Sequence, residues 1–119
     1  MKAVVTVIAG LVLASGLSVA AAGNPSAPTP QDAKVAAGKK AYEANKCSTC
    51  HKIAGVGKMS ELDGVGSKLS AAEIKQWLVD PKSMEAKLAT KPKISMKNYK
   101  ALPAEEIDAL VAYMLSLKK

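Results

Sequence analysis

Cys47-Ser48-Thr49-Cys50-His51 contains both cysteines and the only histidine of a 119-residue chain. Two cysteines cannot build the disulfide framework of a small exported scaffold, and one histidine cannot supply a His-rich metal site. Whatever the thiols and the imidazole do, they do from one short turn. A redox dithiol of the thioredoxin type normally follows a strand in an α/β fold, and no strand pattern is visible here. Zinc wants four ligands where three soft ones exist. A disulfide closing so short a loop adds little.

The remaining reading is the most specific one. C-x-x-C-H is the c-type haem attachment signature. Two thiols three positions apart can each add to one vinyl group of a single porphyrin, and the next residue then presents an imidazole to the iron. One covalently attached haem c, held by Cys47 and Cys50 with His51 as axial ligand, is expected.

Met1 to Ala22 reads as a cleavable signal peptide. Lys2 is a short basic start, Ala3 to Leu17 is an uncharged apolar run, and Ala20-Ala21-Ala22 fits the small-x-small cleavage pattern, with Ser18-Val19-Ala20 as an alternative site. The run is short for a membrane span, so cleavage is expected and no stable membrane anchor. Export to the periplasm agrees with the haem reading, because bacterial c-type attachment takes place outside the cytoplasm. Residues 23–31 form a Pro-rich, uncharged linker and 32–119 the folded domain. With 49% apolar residues the chain is too apolar to be disordered, but its aromatics amount to 3% and it has no Phe, so the core is thin.

The domain reads as all-α. Thr29-Pro30-Gln31-Asp32 is a helix start, with a Thr cap, Pro at the first position and an acid at the third, and the helix runs to about Asn45. Gly38 inside it implies a second helix crossing closely, with Tyr42 one turn later on the same face. Ser70-Ala71-Ala72-Glu73 is a second capping box, opening a helix through Val79. Asp80-Pro81 starts a further short helix towards Ala89. The last helix runs from about Pro103 to Leu117, with Ile107, Leu110, Val111, Met114 and Leu117 on one face, acids near its start and Lys118 and Lys119 near its end. Loops cover Ile53 to Lys68 and Thr90 to Leu102. Gly64-x-Gly66 is a turn device, since no Lys-Ser/Thr follows it and no strand precedes it.

The sixth iron position has no second histidine to fill it. Met59, Met84, Met96 and Met114, a Lys amine, water or an open site all remain. Met114 lies on the apolar face of the last helix, Met84 in the short helix after Pro81, Met59 eight residues after His51, and Met96 in a Lys-rich loop before the last helix.

From Asp32 to Leu117 the chain resembles the small bacterial monohaem class I c-type cytochromes. The resemblance rests on the attachment motif, Gly38 and Tyr42, Leu62-Asp63-Gly64-Val65-Gly66, Trp77-Leu78-Val79-Asp80-Pro81, and Ala109-Leu110-Val111-Ala112-Tyr113-Met114. It implies a cytochrome c-like fold with helices wrapped around one haem. Met96 then matches the family's ligand by its separation of 17 residues from Tyr113, with Met84 second. As a family feature Trp77 would lie against the haem and donate its N–H to a propionate, its other reading being core packing. Tyr99, three residues past Met96, either hydrogen-bonds near the haem or caps the loop. Two positions depart from the family. Ser60 stands where a Pro carbonyl often accepts the His N–H. Lys97, not Pro, follows Met96, which implies a less stiff loop and displacement of Met96 by a neighbouring Lys amine at high pH.

The resemblance implies a one-electron carrier, not an enzyme, passing electrons between redox partners of a respiratory-type chain. A haem-based sensor with a labile sixth site and a haem subunit of a larger oxidoreductase are the other readings. Seventeen lysines and no arginine, against 10 acids, give +7, or +6 without Lys2 and about +4 with two haem propionates. Lys46, Lys52, Lys58, Lys91, Lys93, Lys97 and Lys100 fall in segments expected near the haem edge, a basic rim suited to acidic protein partners. Nucleic acid is not an expected partner, and a monomer is expected.

Overall fold

The computed structural model describes residues 27–119. The expected signal peptide over 1–22 and the first part of the expected linker lie outside the described residues. The chain orders as α1 (Pro30–Ala44), a 3-10 turn (Cys47–Thr49), β1 (His51–Lys52), β2 (Ser60–Glu61), α2 (Val65–Lys68), α3 (Ala71–Val79), α4 (Pro81–Ala86) and α5 (Ala104–Ser116).

Both capping boxes form as their sequences imply. The Asp32 carboxylate accepts the Thr29 N–H at 3.0 Å while the Thr29 hydroxyl accepts the Asp32 N–H at 3.2 Å. Ser70 and Glu73 make the same exchange at 2.8 and 3.3 Å. Each pair satisfies two of the donors that a helix start leaves without partners.

The framework is the crossing of α1 and α5, and Gly38 permits it. A Cβ at that position would overlap the Ala109 carbonyl and lie 2.6 Å from the Tyr113 Cβ. The contact continues at Tyr42 and Tyr113, whose rings meet edge-on with centroids 5.8 Å apart. Asn45 closes the crossing by donating to Ala41 O at 2.8 Å and to the Glu106 carboxylate at 2.9 Å. Ile107, Leu110, Val111 and Met114 are buried on the inner face of α5 and pack with Tyr42, Ile74 and Leu78.

Burial pushes the Tyr42 phenol up to about 12 and raises that of Tyr113 as well. An unfolded tyrosine ionises near pH 10. The unfolded chain therefore binds fewer protons than the folded one above that pH, and stability falls as pH rises from 10 towards 12. Tyr42→Phe and Tyr113→Phe should each flatten this decline, read as the denaturant midpoint against pH.

Three details differ from the sequence expectation. A small parallel pair joins β1 to β2, with His51 opposite Ser60 and Lys52 opposite Glu61. Strands of two residues are too short to produce a period. The four-residue α2 lies inside the expected loop and starts from Gly64 at φ +78°. The short helix α4 ends at Ala86 instead of Ala89, where the Lys91 amine takes the carbonyls of Glu85 and Ala86 at 2.8 and 2.9 Å. The architecture is otherwise the expected helical one. Among the described residues no helix is long and apolar enough to cross a membrane.

Candidate functional site

Lys46 takes a left-handed conformation (φ +53°), which ends the run of α1 and turns the chain into the motif. The turn that follows is 3-10, closed by Thr49 N–H to Lys46 O at 3.0 Å and Cys50 N–H to Cys47 O at 3.1 Å. In that geometry residues three apart eclipse one another, so the two thiols share a side. Both are free, Cys47 half-buried and Cys50 exposed. Burial pushes the Cys47 thiol up.

His51 is held from three directions. The β1–β2 pairing fixes its backbone. The Tyr42 hydroxyl donates to its carbonyl at 3.3 Å. Gly57, at φ +119°, packs so closely on that carbonyl that a Cβ would overlap it. Burial holds the imidazole below its ordinary range, with the Ser60 backbone acting the other way. The ring is therefore neutral at pH 7, the state in which a nitrogen lone pair is free to bind a metal. Nδ1 is buried and completes no hydrogen bond.

These groups form one wall of a cleft of about 560 Å³, within the ~300–1,000 Å³ range of cofactor sites. Leu62, Val65, Leu69 and Trp77 line it, joined by Pro92, Ile94, Met96 and Tyr99 from the loop before α5. At its inner end it meets a smaller apolar cavity reaching Ile74, Leu78, Leu110 and Met114. Two thiols on one side, a buried imidazole nitrogen without a partner and a mostly apolar lining, with Glu61, Asp63, Glu85 and the lysines among the charged groups, suit a flat apolar macrocycle attached at its edge. The residues fit a haem.

The structure brings Cys47, Cys50, His51, Trp77, Met96 and Tyr99 to this one cleft. Trp77 is half-buried, and its indole N–H has no acceptor among the described residues. Met84 is buried in α4, takes the Lys87 amine on its sulfur at 3.8 Å and does not line the cleft. Met114 is core, as its helical position implies, and reaches only the inner cavity. Met59 does line the cleft, 57% exposed. Of the lysines, Lys46, Lys68 and Lys97 border it. Lys97 lies 5.8 Å above the Tyr99 ring, and Lys91 is committed to α4.

Sequence reasoning missed Glu85, a buried acid that lines the cleft. It sits in a six-residue helix between Lys82 and Lys87, and no local pattern distinguishes it from a solvated charge. Among the described residues no three His, Cys, Asp or Glu side chains converge on a metal site. The strand that would precede a redox dithiol is also missing from them.

A search of curated proteins and of solved structures returns no match. The family model for cytochrome c matches residues 35–118. That span holds the motif, α1 from its second turn on, the whole of α3, the whole lining of the cleft and the α1–α5 crossing. The chain belongs to the cytochrome c family, haem-based electron carriers in which haem c is bound covalently through a C-x-x-C-H motif, here Cys47 to His51.

Proposed function

We propose that the chain is a periplasmic one-electron carrier in which Cys47 and Cys50 hold the haem, His51 and Met96 ligate its iron, and acidic protein partners dock at a lysine-bearing edge. One observation carries the reading: His51 and half-buried Met96 line the same cleft beside both thiols, while Met84 lies outside it and Met59 reaches it only as an exposed side chain. When bound, haem supplies one-electron exchange between ferric and ferrous iron, and a thioether ligand in apolar surroundings favours the ferrous form.

The chain's own residues keep the geometry constant. The β pairing and Tyr42 hold the His51 backbone, and the apolar walls exclude water from the interior. With His51 and Met96 both held to the iron, a bound haem would offer no position to a substrate, which would suit transfer over catalysis. Lys46, Lys68 and Lys97 are exposed at the cleft, where their charge steers an acidic partner and is screened by salt.

The test is the absorption spectrum of protein matured in a haem-attaching periplasm. A c-type reduced spectrum is expected, with the weak far-red sulfur-to-iron band in the ferric form. Met96→Ala should abolish that band, and Met59→Ala and Met84→Ala should leave it. A band that survives Met96→Ala overturns the ligand assignment. A wild-type protein without the band, binding CO when ferrous, overturns the carrier in favour of a sensor.

A further inference from the structure

Glu85 is the one buried charged side chain among the described residues. A buried carboxylate is costly unless it is hydrogen-bonded, and here both oxygens serve the same short segment. Oε1 accepts the Met96 backbone N–H at 2.9 Å and Oε2 accepts the Ser95 hydroxyl at 2.9 Å. A charged acceptor makes such bonds roughly twice as strong as neutral ones. The main chain of the same residue holds an earlier point of the loop, because its carbonyl takes the Lys91 amine at 2.8 Å. Beyond Met96 the next anchor comes from α3, where Leu78 O accepts the Tyr99 N–H at 2.8 Å. Met96 thus lies between two tethers, one to α4 and one to α3.

We infer that Glu85 is a positioning residue for Met96, its carboxylate pinning the 95–96 backbone so that the thioether stays in the cleft. The inference rests on the reading of Met96 as an iron ligand. It also accounts for a loop in which Lys97, and no stiffening Pro, follows Met96. The restraint comes from α4 instead. An ionised carboxylate suits the task because it is acceptor-only, with two oxygens for two donors on adjacent residues.

The experiment uses the ferric holoprotein with imidazole as a competing nitrogen ligand, read by loss of the sulfur-to-iron band. Glu85→Ala should bind imidazole about tenfold more tightly than wild type, since releasing the sulfur no longer breaks two charge-assisted bonds. Glu85→Gln keeps an acceptor for the Met96 N–H and a partner for Ser95, and should stay within about threefold of wild type. Wild-type imidazole affinity in Glu85→Ala overturns the inference, and so does a Glu85→Gln protein as weakened as Glu85→Ala. If Glu85→Ala takes up no haem, hydrogen exchange of the wild-type Met96 amide decides. Protection matching that of the Tyr99 amide supports the tether, and exchange as fast as at exposed Lys93 defeats it. A wild-type band that is missing, or that survives Met96→Ala, defeats the ligand reading alone, and the amide exchange then still judges the tether.

Discussion

A chain carrying Cys47→Ser and Cys50→Ser, produced in the same haem-attaching periplasm, should be colourless and largely unfolded. The reason lies in what lines the cleft. Leu62, Val65, Leu69, Trp77, Ile94 and Met96 all face it. Burying a large apolar side chain contributes roughly 1.5–3 kcal/mol. Half of that benefit for six residues is about 5–9 kcal/mol, comparable to the whole net stability of a small domain, ~5–15 kcal/mol. Without haem those surfaces are wet. The core that remains is small: no Phe, one Trp, and a buried set that includes Ala41, Ala109 and Ala112. Far-UV circular dichroism and a thermal melt check this outcome. A cooperative melt with native helix content would show that the α1–α5 crossing folds by itself.

Gly38→Ala should strongly destabilise the holoprotein. Helix propensity alone argues the other way, since Ala gains ~1 kcal/mol over Gly in a helix interior. Packing decides the sign. The added Cβ overlaps the Ala109 carbonyl and lies 2.6 Å from the Tyr113 Cβ, so the obstacle is backbone that cannot turn aside like a flexible side chain. The helices must separate, at a cost of about 3 kcal/mol. The net loss of roughly 2 kcal/mol lowers Tm by about 8–16 °C in a domain of this size. Thermal unfolding of the ferric holoprotein measures it. Lys39→Ala, on the exposed side of α1, should stay within about 0.5 kcal/mol of wild type.

Much of the scaffold is written locally. Thr29 with Asp32 and Ser70 with Glu73 announce α1 and α3, because a capping box is made and satisfied within four residues. The apolar spacing of α5 announces its buried face. Gly38 announces a crossing, although only the fold shows that Ala109 and Tyr113 are what cross it. The β1–β2 pair and α2 leave no such trace. The strand pair joins residues nine apart, α2 is a single turn, and two to four residues carry no period.

The same division runs through the site. Haem attachment was legible because its chemistry is complete within five residues: two thiols, their spacing and the adjoining imidazole. The second side of the cleft was not. Four methionines follow the motif, and each is by composition an interchangeable apolar filler. Which of them shares a cavity with His51 depends on how the 87–99 loop returns across α4 after a long intervening chain. Folding put Met59 and Met96 in the cleft and Met84 outside it. It also turned Glu85, one acid among many charged residues in sequence, into the buried acceptor that holds the Met96 backbone. By itself the sequence determined the attached group and the helices, because those depend on near neighbours. Only the tertiary structure decided which distant residues meet around that group, because burial and hydrogen-bond partners are properties of the packed chain.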